Sequence, residues 1–101
     1  MIEYEVRFSI EAKLQLDDLY DYIAASASPS IASAYIEAIT GHCRQLKIFP
    51  FRGTPRSDLR KGARTINYRK RCLIVFTVEE QIVAISAIHY GGQDVAAFMP
   101  D

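Results

Sequence analysis

Apolar and polar residues alternate through Tyr4, Glu5, Val6, Arg7 and Phe8, the period of two expected of a half-buried strand. At Ser9 the period changes. Ala12, Leu16, Leu19 and Ile23 recur at helical spacing, with Lys13, Asp17, Asp18 and Asp21 away from that stripe, which predicts an amphipathic helix. Ser9 is an N-cap type, although Ala12 supplies no carboxylate to complete a capping box. Ser26-Ala27-Ser28-Pro29 interrupts the pattern, and Ser28 before Pro29 predicts a second helix that starts at once. Its stripe is Ala32, Tyr35, Ile36, Ile39, Cys43 and Leu46, ended by Pro50 and Gly53. So short a link favours an antiparallel helical hairpin.

From Pro50 to Gly62 the chain is rich in Pro, Gly and Arg and has no apolar period, so it reads as a long surface loop of the kind that carries function. Residues 65–68, 72–78 and 82–89 read as three strands of an antiparallel meander. The apolar run Leu73 to Phe76 suits a central strand covered on both faces. The expected architecture is α+β: an N-terminal strand, then an antiparallel helical hairpin packed on a twisted antiparallel sheet that the C-terminal meander completes. Residues 1–101 fit one domain.

Half of the residues are hydrophobic and 24% are charged, as in ordinary globular domains. The formal net charge of zero hides a segregation. Before Pro50, Glu3, Glu5, Glu11, Asp17, Asp18, Asp21 and Glu37 outnumber Arg7, Lys13, Arg44 and Lys47. Between Pro50 and Arg71, Arg52, Arg56, Arg60, Lys61, Arg64, Arg69, Lys70 and Arg71 face Asp58 alone. Local sign governs association, so this middle stretch is expected to attract an anionic partner. The amino terminus lacks the order of a secretory signal, and no apolar run approaches the roughly 20 residues of a membrane span. Cys43 and Cys72 have neither CxxC spacing nor a histidine cluster around them, so no disulfide framework, metal site or cofactor is expected. A cytoplasmic location is the expectation.

Phosphate-binding glycine loops, nucleophile elbows and HExxH are absent from the sequence, which removes the usual signals of small-molecule enzymology. Gly91-Gly92 reads as a tight turn. Asp17, Asp18 and Asp21 read as a solvated helix face. His89 beside Tyr90, with arginines elsewhere, offers general acid and base groups for RNA chemistry; the plainer reading is a packed strand end. The arginines are the stronger signal, because guanidinium groups pair bidentately with carboxylates and phosphates. Some of the six tyrosines are candidate interface anchors.

The order of these features resembles the ParE branch of the RelE/ParE toxin superfamily across nearly the whole chain. The residues that carry the resemblance are Phe8-Ser9, Asp18-Leu19, Tyr22-Ile23, Ser28-Pro29, Ala32 and Tyr35. It continues through Leu46, Pro50, Gly53, Arg56, Leu59, Gly62, Arg64, Tyr68 and Val75-Phe76 to Ile88-His89-Tyr90-Gly91-Gly92-Gln93-Asp94. The resemblance implies a type II toxin that inhibits DNA gyrase and is neutralised by a ParD-like antitoxin in a hetero-oligomeric complex. Relatives on the RelE side cut messenger RNA on the ribosome, and one scaffold serves both. In the gyrase reading no residue is catalytic. Arg52, Arg56, Arg60, Arg64, Arg69, Lys70, Arg71, Tyr90, Gln93 and Asp94 are then the partner-binding candidates. In the ribonuclease reading Arg64, His89 and Tyr90 are the catalytic candidates, but Phe98 occupies a tail position where a hydroxyl would be useful, and phenylalanine exchanges no proton. A relic that only binds antitoxin is the third reading. An acidic, amphipathic antitoxin segment is expected in a groove between hairpin and sheet.

Overall fold

The structure, a computed structural model, describes residues 2–91. Strand β1 (Glu5–Phe8) leads into helices α1 (Ile10–Ser26) and α2 (Pro29–Arg44). Ser9 caps α1, its hydroxyl accepting the Ala12 N–H at 3.0 Å and donating to the Ser86 carbonyl at 3.0 Å. Ser28 caps α2 through the Ile31 N–H at 3.1 Å, with Pro29 in the first turn. A 3-10 turn, Gln45–Lys47, prolongs α2. Then follow β2 (Thr54–Pro55), β3 (Arg64–Tyr68), β4 (Cys72–Glu79) and β5 (Ile82–Tyr90).

The sheet runs β1-β5-β4-β3-β2. β3, β4 and β5 form the expected meander. β1, however, joins β5 in parallel, so the sheet is mixed and not wholly antiparallel. A period of two reports which face a strand buries but not the direction of its neighbour. Within the expected loop, Thr54 and Pro55 pair with Thr65 and Arg64 as an edge strand, where proline's missing N–H costs no ladder bond.

Both helices cover one side of the sheet. Ala12, Leu19 and Ile23 of α1 and Ala32, Tyr35, Ile39 and Cys43 of α2 are buried, against Cys72, Ile74, Phe76, Val83, Ile85 and Ile88. β4 is central, as its apolar run suggests, yet no helix among the described residues covers its second face. Leu73 and Thr77 there are half-buried, although neighbouring side chains leave Val75 only 7% exposed. The register shifts by one residue beside Val75 and Phe76, where Val75 pairs with Ala87 and Phe76 with Ile85. Ser86 is thus the extra residue of a β-bulge, which returns Ile88 to the helix side.

Candidate functional site

The bulge shapes one end of the sheet. β1 stops at Phe8 opposite Ile85, so the last part of β5 lies beside α1 instead of a strand. Gln15 of α1 supplies the missing acceptor, its Oε1 taking the Ile88 N–H at 2.6 Å. A cavity of about 430 Å³ opens there between Asp18, Leu19 and Tyr22 of α1 and Ile88, His89 and Tyr90 of β5.

His89 and Tyr90 reach this end from opposite faces. Tyr90 packs against the helix-side core, whereas His89 is exposed on the other face of the strand, as neighbouring strand residues must be. Arg64 is farther off. It is level with Phe76 and Ile85, whereas His89 is level with Leu73 and Asn67, so strand rise and strand spacing separate Arg64 from His89 by roughly 14 Å. His89 and Tyr90 thus share the rim of one cavity, but Arg64, the third group proposed for RNA chemistry, is not brought to it.

Arg64 has a different task. Its Nη2 donates to the Phe51 carbonyl at 2.6 Å and its Nε to the Arg52 carbonyl at 3.1 Å, with the guanidinium 6.0 Å from the Phe51 ring centre. It therefore clamps the start of the arginine-rich loop to β3. Arg56 is likewise engaged, forming a two-bond fork to Asp58 at 2.9 Å and 2.9 Å. This pairing holds the exposed Asp58 carboxyl below its ordinary range.

The remaining cations fall into two groups at opposite ends of the β3–β4 hairpin. Arg52, Arg60 and Lys61 lie in the loop before β3, and Arg69, Lys70 and Arg71 form the turn after it, where Arg69 has φ 57° and stands 5.7 Å from the Tyr68 ring centre. The basic stretch of the sequence is thus divided into two groups, held apart by the length of β3. Gln93 and Asp94 lie outside the described residues.

The uncovered sheet face is nearly free of charge. Its strand positions include Thr65 and Asn67 of β3, Leu73, Val75 and Thr77 of β4, and Ala87 and His89 of β5, with Glu79 at the end of β4. Arg7, on the same face of β1, forms an ion pair with Glu5. Nucleophilic chemistry by cysteine is disfavoured too: burial pushes the Cys43 thiol up to about 12 and the Cys72 thiol up to about 11, so both stay protonated at neutral pH. No cluster of three or more metal-ligating side chains occurs among the described residues.

The family profile described as "ParE toxin of type II toxin-antitoxin system, parDE" matches residues 6–95. The chain belongs to the ParE toxin family. A chain of the chromosomal ParDE toxin–antitoxin system from P. aeruginosa superposes on this ParE-type toxin with a TM-score of 0.78 at 20% identity, covering 89% of this chain and 98% of that one. A chain of the toxin–antitoxin complex RelBE2 from Mycobacterium tuberculosis gives 0.62 at 26% identity, covering 93% and 97%. No curated protein matches the chain significantly. The two-helix hairpin on a sheet is thus the ParE/RelE fold, as the resemblance implied. No described helix of this toxin is long and apolar enough to cross a membrane.

Sequence reasoning missed one surface of this ParE-type toxin. Ile48, Phe49 and Phe51 are 38%, 65% and 60% exposed, beside a groove at the carboxyl end of α2. The signal was present as bulky apolar residues continuing past the last buried position of the α2 stripe, Leu46.

Proposed function

We propose that this ParE-type toxin acts by binding DNA gyrase and is neutralised by a ParD-like antitoxin. Family membership supports the target. The observation that supports binding over RNA cleavage is the separation of Arg64 from His89 and Tyr90, with Arg64 committed to the Phe51 and Arg52 carbonyls. General acid–base catalysis needs its groups within hydrogen-bond reach of one reacting site. Among the described residues the open face carries an Arg7–Glu5 pair and Glu79 but no unopposed cluster of cations, which favours protein contact over phosphate contact. Solvent-exposed Arg60, Lys61 and Lys70 are available to steer an anionic partner.

The second reading, a ribosome-dependent ribonuclease, is favoured by the 26% identity to a chain of the RelBE2 complex. Purified toxin assayed in parallel for inhibition of gyrase supercoiling and for cleavage of translated messages separates the two. Inhibition without cleavage is the expected result; cleavage without inhibition would reverse the assignment, and neither activity would leave an antitoxin-binding relic.

A further inference from the structure

A glycine in the interior of α2 has no internal reason to be there. Gly41 is exposed, and a Cβ built on it would meet nothing within 4 Å. Glycine is the most costly residue short of proline in a helix interior, so alanine would fit and strengthen the helix. What glycine adds is room for another chain to come close. Gly41 forms part of a groove of about 370 Å³ whose wall is apolar, from Ile48 and Phe49. Arg44, Lys47 and Arg52 frame it, and no carboxylate lines it. Arg44 and Lys47 also answer the carbonyl end of the helix; Arg52 comes from the following loop, where its Nη1 donates to Gln45 Oε1 across the groove at a long 3.5 Å, which leaves the guanidinium's other N–H groups to meet a carboxylate.

We infer that this groove takes an acidic, amphipathic segment of the antitoxin, its apolar side chain seated over Gly41 and its carboxylates on Arg44, Lys47 and Arg52. The inference rests on the reading of the chain as an antitoxin-bound toxin. Insertion of one apolar side chain between flanking charges is the form that groove binding takes when a disordered segment folds onto a partner. Single-stranded nucleic acid fits less well. It stacks successive bases on several open aromatic faces, and the groove offers one ring, Phe49, while the nearby Phe51 has the Arg64 guanidinium over it and the Tyr4 ring edge-on at 6.2 Å.

The test measures melting temperature and antitoxin affinity together, using the toxin and the antitoxin encoded beside it. Gly41→Ala is expected to raise the melting temperature by a few degrees while weakening the complex several-fold. Gly41→Leu and Arg52→Glu are expected to weaken it roughly tenfold or more. Unchanged affinity in Gly41→Ala and Arg52→Glu would overturn the groove while leaving the antitoxin reading intact. No binding by the unmodified toxin would remove both. Oligo-dT binding, or self-association of the toxin, that is lost in Gly41→Leu would instead give the groove to nucleic acid or to a second copy, and overturn the inference.

Discussion

The two faces of the sheet are made by the same strands and do different work. On the helix side, Cys72, Ile74 and Phe76 of β4 are fully buried with Val83 and Ile85 of β5. One residue along each strand, the open face presents Leu73, Thr77, Ala87 and His89, half-buried or exposed. Burial of large aliphatic and aromatic groups is what stabilises a domain of this size. The helix face therefore holds the fold, and the other is free to be shaped by a partner. Apart from Arg7, which Glu5 pairs, the cations of the sheet region sit at strand ends and in loops instead of on the open face.

The widest separation between the faces should appear in the core. Phe76→Ala removes a ring with no exposed surface and is expected to cost about 3–5 kcal/mol, measured by urea unfolding. A loss no larger than that of an open-face substitution would mean that the helices are not what holds the sheet. Gly53→Ala comes next. Its φ is 89°, and an added Cβ would stand 2.4 Å from the Thr65 carbonyl oxygen and 2.7 Å from Ile66 Cγ2. The loop cannot move away without breaking the β2–β3 pairing, so a destabilisation of roughly 1–3 kcal/mol is expected by the same measurement.

Arg64 lies where the covered face meets the loop. Replacement by alanine leaves two backbone carbonyls to water and is expected to cost about 1 kcal/mol, since the site is solvent-accessible. Protection of the 50–62 backbone against hydrogen exchange should fall with it. A catalytic arginine would give the opposite split, with activity lost and exchange unchanged. Smaller still is a pH effect at His42, which meets the Tyr68 ring at 5.5 Å between centroids. Burial, reinforced by Arg52, lowers its pKa below the ordinary 6.5. The unfolded chain then binds its proton first as pH falls through about 6.5, so stability declines from there and levels off below the folded pKa. Melting temperatures across that range should drop in the parent and drop less in His42→Gln.

Much of the covered face was legible because its causes are local. Ser9 and Ser28 cap the helices, and the stripes through Ile23 and Ile39 mark the buried sides. The parallel β1–β5 pairing was not, since nothing in Tyr4 to Phe8 specifies a neighbour 77 residues away in register. Nor was the bulge at Ser86, which depends on two strands matched together. The candidate site was read less well. A run of arginines announces charge density, but whether each guanidinium meets a partner or a backbone carbonyl depends on where the loop crosses β3. Arg64 turned to the loop carbonyls for that reason, Arg56 pairs at the surface with Asp58 of its own loop, and the exposed Phe49 and Phe51 carried no helical or strand period to draw notice.

The smallest expected effect belongs to His89, and it sharpens the contrast between the faces most directly. The side chain is exposed on the open face while its neighbours Ile88 and Tyr90 pack toward the helices. His89→Ala should therefore change unfolding free energy by no more than about 0.5 kcal/mol, the usual range for a surface position. Because so little stability is at stake, any functional loss in this variant reports contact and not unfolding. Reduced gyrase inhibition with unaltered unfolding would assign the open face to the target. Loss of RNA cleavage with gyrase inhibition intact would instead mean that His89 finds its proton-transfer partners only in the bound state, as catalytic groups that are far apart in the free protein sometimes do.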